Sequence, residues 1–162
     1  MARRFVLGML VAVSLAACSQ ATAPETESSP ATPAAAAPAA SIDLQPIVYP
    51  LTDATLVGEL GCTFLDASGA MILVSSGYVQ STDPGTAVVR VGAVAQSLRS
   101  DTADGYDGLV DGATFANDAI SATVAIGSQL PDTGEQVGYA AQLTATMGGA
   151  TQTISGTWTC GP

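Results

Sequence analysis

The sequence predicts an all-β fold: a small antiparallel up-and-down barrel of about eight strands, with a two-sheet β-sandwich as the alternative. Three observations carry this. The stretch 47–162 is rich in Val, Thr, Ala and Gly and poor in helix formers such as Lys, Arg and Glu. It contains four turn signals, three of them flanked by two runs that agree on which face is apolar. The first and last of those runs carry Cys62 and Cys160 on that apolar face. A closed ring of hairpins also leaves no sheet edge to manage, which favours the barrel over the sandwich.

Each hairpin has its own register. A loop at Asp66-Ala67-Ser68-Gly69 lets Phe64 face Met71 and Cys62 face Leu73, so Cys62 points inward. A second hairpin joins 87–91 to 94–98 around Gly92-Ala93, although Arg90 and Gln96 blur its alternation. At Asn117-Asp118, a two-residue turn puts Phe115 opposite Ile120 and Ala113 opposite Ala122, with Val124 and Ile126 continuing inward. The last hairpin turns at Gly148-Gly149, where a Gly pair supplies positive φ. If Met147 faces Ala150, then Leu143 faces Ile154, Tyr139 faces Trp158 and Val137 faces Cys160, while Thr144 meets Thr153 and Thr146 meets Thr151. One face is apolar and the other is a threonine ladder toward solvent.

Ahead of this domain the chain changes character. Arg3 and Arg4 precede an apolar run from Phe5 to Ala17, too short to span a bilayer core of roughly 30 Å as a helix. The run ends in Leu15-Ala16-Ala17-Cys18, which resembles the lipobox of bacterial lipoproteins. The resemblance implies a signal peptide over 1–17, cleavage before Cys18, and a diacylglyceryl thioether with N-acylation on Cys18. Several acyl chains make a stable membrane anchor. Ser19, in place of the Asp that retains many such proteins at the inner membrane, implies the outer membrane, facing the periplasm. Residues 18–46 are dominated by Ala, Pro, Ser and Thr and bury too little to repay ordering. They read as a tether, and 47–162 as the β domain.

With Cys18 assigned to lipid, Cys62 and Cys160 remain as an even pair in an oxidising compartment, which predicts a disulfide closing the barrel. A cross-link over nearly 100 residues corresponds to at most roughly 4 to 5 kcal/mol of loop-closure entropy.

Charge and missing residue types narrow the function. The chain has 4 Arg and Lys against 14 Asp and Glu. Losing Arg3 and Arg4 with the signal peptide leaves Arg90 and Arg99, so the mature charge is 2 − 14 = −12. Nucleic acid is excluded as a partner, because phosphate binding needs clustered cations. There is no Lys and no His, which removes the commonest general base, the imidazole ligands and the usual pH switch. No catalytic residues and no cofactor are expected, and the chain reads as non-enzymatic. The loop 101–112 gathers Asp101, Asp104, Asp107 and Asp111, weak candidates for calcium whose spacing does not fit an EF-hand; a solvated acidic turn is the plainer reading. Tyr139 and Trp158 read as core fillers, or else as the lining of a ligand cavity. Tyr49, Tyr78 and Tyr106 lie in or beside loops as possible contact residues, and Arg90 and Arg99 read as solubilising edge charges.

In architecture the domain is similar to the lipid-anchored bacterial inhibitors of C-type lysozyme: small lipoproteins with an eight-stranded antiparallel barrel and a disulfide. That family uses a Ser-Gly-x-x-Tyr segment and a Lys-bearing loop. This chain has Ser100 followed by Gly105-Tyr106 and no Lys, so no inhibitory residue carries over. The expectation is an acidic outer-membrane lipoprotein displaying a small β domain, either for binding, with a basic envelope or host protein as partner, or in an envelope-structural role. The alternatives are a lysozyme-inhibitor-like protein and a small-ligand carrier.

Overall fold

A computed structural model describes residues 41–131 and 136–162. The expected signal peptide, Cys18 and the tether up to residue 40 lie outside the described residues. Nine strands follow one another: β1 Leu44–Gln45, β2 Leu60–Asp66, β3 Met71–Gly77, β4 Thr86–Val91, β5 Val94–Ser100, β6 Thr114–Ala116, β7 Ile120–Gln129, β8 Val137–Met147 and β9 Ala150–Gly161. β2 to β9 pair antiparallel in chain order, and β9 returns to β2, so eight strands close into a barrel with β1 added beside β4. A ring of pairings excludes the sandwich.

The Gly148-Gly149 hairpin has φ of 57° and 82°, and its register from Met147↔Ala150 to Val137↔Cys160 is the one expected from alternation. The 92–93 hairpin also keeps its expected register, with Ala87 opposite Leu98 and Val91 opposite Val94. Two registers differ. In the first hairpin Phe64 faces Leu73 and Cys62 faces Ser75, not Met71 and Leu73. The cause is local: Asp66 N–H bonds Ala70 O, and the Asp66 carboxylate accepts the Ser68 and Ala70 amides, which leaves a three-residue loop and a bulge between Phe64 and Leu65 that puts Met71 on the outer face. The Ser68 hydroxyl and these amides hold the Asp66 carboxyl below the usual carboxylate range. In the third hairpin Phe115 faces Ala122, not Ile120. Asn117 Oδ1 accepts the amides of Ala119 and Ile120, moving the turn to Asp118-Ala119. That slip moves the partner by two residues, so the inward set is unchanged.

The interior is filled. Trp158, Phe64, Phe115, Leu73 and Leu143 are all fully buried, as expected for an eight-stranded barrel, whose interior is just wide enough for side chains. Cys62 and Cys160 lie among them as direct cross-strand partners, Cα atoms 4.1 Å apart, joined in a disulfide.

The folded part begins before the expected boundary at Ile47. Ile42 and Leu44 are buried in the barrel core, so 41–46 belong to the domain and not to the tether. From there 47–57 runs as a strap over the outer face of β3 to β5. Ile47 packs on Val74 and Val88, with Leu51, Leu56, Met71 and Ala95 around them. The strap is pinned by Ile47 N–H to Met71 O at 2.7 Å, by an Arg90–Asp53 ion pair at 2.8 Å, and by Val57 N–H to Thr86 Oγ1 at 2.9 Å. Arg90 is therefore a clasp and not a loose edge charge. The strap also explains the blurred alternation of β4, because Val88 faces outward yet is covered.

Since the disulfide spans the seam that closes the barrel, Cys160→Ser should lower the unfolding free energy by roughly 2 to 5 kcal/mol in denaturant titrations. The sole tryptophan, buried Trp158, provides the fluorescence readout.

Candidate functional site

The two ends of the barrel differ in construction. One carries short turns at 67–69, 92–93, 118–119 and 148–149; the other carries the longer loops 78–85 and 101–113, with the chain entering β2 beside them. Loops placed on a rigid scaffold are where binding residues concentrate.

The sequence predicts a solvated acidic turn over 101–112. Instead the loop folds over the barrel mouth and inserts Leu109, which is fully buried and whose carbonyl accepts the Trp158 indole N–H at 2.9 Å. Short backbone bonds coil it inward: Gly108 N–H to Asp104 O, Leu109 N–H to Tyr106 O and Gly112 N–H to Leu109 O. The four aspartates do not converge. Among the described residues no group of three or more Asp, Glu, Cys or His is placed to hold a metal ion, so the calcium expectation for Asp101, Asp104, Asp107 and Asp111 is not supported. The buried Leu109 sets the loop's direction, and the acids are left on its outer side.

One of these acids has a structural task. Asp107 Oδ2 accepts the Gln80 amide at 2.9 Å, and Glu59 Oε1 accepts the Val79 amide at 3.2 Å. Tyr106 N–H bonds Tyr78 O and Gly105 N–H bonds Asp83 O, lacing the two loops together. Gly77 permits this contact, because a Cβ there would come within 2.5 Å of Tyr106 N. Gln80 is held at φ 54°, a left-handed conformation that non-glycine residues adopt at a cost of order 1 kcal/mol or more. Tyr78 and Val79 are presented outward by this fixed loop, 48% and 40% exposed, and Val57 of the strap is 49% exposed. Val57, Tyr78, Asp83 and Arg99 line a shallow recess of about 310 Å³. A larger groove, about 520 Å³, runs between the strap and β2–β3, with Tyr49, Leu56 and Glu59 on one wall and Thr159 and Pro162 on the other.

The tyrosines thus separate. Tyr78 and Tyr49 are exposed, whereas Tyr106 packs against the core, and burial together with the neighbouring Asp107 charge pushes its phenol up from the ordinary value. Partial burial also raises Tyr49. Trp158 fills the core; Tyr139, its cross-strand partner, is only partly covered. Ser100 and Tyr106, the nearest counterparts of the lysozyme-inhibitor segment, are not displayed: Ser100 is buried with its hydroxyl 2.9 Å from that of Thr102. Cys18 lies outside the described residues.

Sequence reasoning missed the strap and the strained Gln80. The strap had a signal, the apolar residues Ile47, Leu51 and Leu56 before the first barrel strand; Gln80 had none.

Comparison with known protein families, with curated proteins and with solved structures finds no match to this chain. The geometry therefore carries the functional reading.

Leu109→Ala should cost about 2 to 5 kcal/mol of stability through the cavity it leaves. Trp158 emission should also shift to the red in the folded state as water reaches the mouth of the barrel. An unchanged spectrum and midpoint would show that the loop is not a plug.

Proposed function

We propose that the protein is a non-enzymatic, lipid-anchored binding module of the bacterial outer membrane, and that it binds through the long-loop end of its barrel. The observation that carries this is the Tyr78–Val79 loop: an aromatic and an aliphatic side chain held out to solvent by backbone bonds to Glu59 and Asp107, beside a strained Gln80. Ordering a loop in advance lowers the entropy cost of association. Strain kept at an exposed position is a recognised mark of a functional site. The filled barrel interior favours a surface mode of binding over carriage inside the strands.

The partner is a basic protein of the envelope or of a host. Glu59, Asp83 and Asp107 lie beside the exposed Tyr78–Val79 loop, and a mature charge of −12 would steer cationic partners toward the domain. The anchor rests on Leu15-Ala16-Ala17-Cys18.

Two outcomes follow. In cell fractionation the wild-type protein should partition with membranes and carry acyl groups on Cys18, while Cys18→Ser should stay an unlipidated precursor. An unmodified Cys18 on soluble mature protein would overturn the anchor. For binding, Tyr78→Ser with Val79→Ser should leave the unfolding free energy within about 0.5 kcal/mol of wild type, as for ordinary surface changes, and abolish capture of basic envelope proteins. Hen lysozyme, as a generic basic probe, should associate at a rate that falls steeply with salt, as exposed charges are screened. It should form no saturable 1:1 complex at physiological ionic strength, because the lysine-bearing loop of the inhibitors is missing. A stoichiometric complex that blocks cell-wall hydrolysis would replace this reading with the inhibitor one.

A further inference from the structure

Apart from Arg3 and Arg4 the chain has two cations, and the fold uses only one of them. Arg90 closes the strap through Asp53, whose two carboxylate oxygens it meets at 2.9 and 2.8 Å. Arg99 is exposed on the outer face of β5, opposite Thr86, and among the described residues has neither an ion pair nor a side-chain hydrogen bond. Acids nevertheless lie on both sides of it. Two recesses share Thr86 and Arg99 as a common wall: the one of about 310 Å³ beside Tyr78 contains Asp83, and a second of about 360 Å³ beside Asn117 contains Asp118. They form one groove with the order acid, cation, acid along it.

The walls of this groove are set in advance. Asp83 N–H bonds Ser81 Oγ at 3.0 Å, and Asp83 O accepts Gly105 N–H at 2.9 Å. Asp118 follows Asn117, whose Oδ1 takes the Ala119 and Ile120 amides and whose Nδ2 donates to Ser97 O at 3.1 Å. Thr86 is committed as well, its hydroxyl bonded to Val57 N–H and Val57 O of the strap. Fixed walls lower the ordering cost of filling a groove. The hydroxyls of Thr55 and Ser97, both exposed in the second recess, have no partner among the described residues.

A guanidinium is a planar fork of donors matched to a carboxylate or a phosphate. Asp83 and Asp118 discriminate among anions, because a bare one, phosphate above all, is repelled from both sides. A carboxylate flanked by cations meets all three groups with the right sign. A free amino acid has a single ammonium and answers only one of the two acids. We propose that the groove receives an extended segment of the partner protein in which one Asp or Glu lies between two Lys or Arg residues, its carboxylate pairing with Arg99. This rests on the loop-end reading of the function and adds the charge pattern that the basic partner must present there. Tyr78 and Arg99, which line the same recess, are of the residue types that dominate interface energetics. The chain's own segment 19–40 competes through Glu25 and Glu27. It contains no Lys or Arg, however, so those carboxylates would reach Arg99 with nothing to offset Asp83 and Asp118.

The test uses the full-length protein in a neutral detergent. Its probes are fluorescent, end-blocked peptides in which one to four glycines separate a central Glu from a Lys on each side, and a matched set with Gln at the centre. At physiological ionic strength at least one Glu peptide should bind saturably, about tenfold more tightly than its Gln counterpart, as a charge-assisted pair does. Arg99→Gln should bring the two sets to the same affinity with an unchanged unfolding midpoint, because the side chain has no partner within the domain. Asp83→Asn with Asp118→Asn should weaken both sets alike, since both carry the flanking lysines. The proposal is overturned by equal affinity of the two sets for the wild type, by no saturable binding of any peptide, or by a Glu preference that survives Arg99→Gln. Undiminished affinity in the doubly substituted Asp83 and Asp118 variant also overturns it. Binding that appears only after Glu25→Gln with Glu27→Gln would do the same and give the groove to the chain's own N-terminal segment. The loop-end reading fails separately, if Tyr78→Ser with Val79→Ser leaves capture of basic envelope proteins intact.

Discussion

The β2–β9 seam is the constraint on which the rest of the molecule depends. Seven of the eight barrel pairings join strands that are consecutive along the chain, and only this one brings the first barrel strand to the last. Long-range pairing must repay loop-closure entropy before it yields contacts. The Cys62–Cys160 disulfide lies inside that seam, across a separation of 98 residues, and removes much of that cost from the unfolded chain. The same seam seats Phe64 opposite Trp158, and Trp158 in turn holds the plug through Leu109 O. Register, core and barrel mouth are thus linked through one pair of strands.

A filled barrel has consequences for what the domain can do. With Trp158, Phe64 and Phe115 occupying the interior and Leu109 capping one end, the chemistry left to the molecule is on its surface. That surface is divided. Acidic loops and a fixed Tyr78–Val79 pair lie at one end, a strap clasped by Arg90–Asp53 covers β3 to β5, and strands β6 to β9 carry no charged side chain among the described residues. Acidic side chains serve structure as well as solubility: Glu59, Asp66 and Asp107 each accept backbone amides and fix a loop. A chain without Lys or His has carboxylates as its main charged hydrogen-bonding groups, and it uses them as loop staples.

Much of this was legible in the sequence because strand alternation has a period of two and turn chemistry is local. The Gly148-Gly149 turn sets an eleven-pair register at once, and both faces of that hairpin follow from it. The inward parity of Cys62, Phe115 and Val124 survived register slips of the flanking turns, whereas Met71, expected inward opposite Phe64, lies on the outer face beneath the strap because of the bulge between Phe64 and Leu65. Where the turn depended on a side chain accepting specific amides, as at Asp66 and Asn117, composition identified the turn but not which residues form its corners.

What the sequence by itself determined, then, is the ring of about eight strands, most of the inward set and the even pair of cysteines, all of which rest on near-neighbour patterns and parity. Only the tertiary structure decided the strap, the plug and the meeting of loops at one end of the barrel. The apolar run of Ile47, Leu51 and Leu56 marks the strap but not its seat, and Leu109 looks like an ordinary loop residue until the barrel mouth above Trp158 exists to receive it. The meeting of Glu59 with Val79 and of Asp107 with Gln80 spans 20 and 27 residues, and no local periodicity encodes contacts at such separations. They arise because barrel closure brings three loops to one end, where unpaired backbone amides must find acceptors.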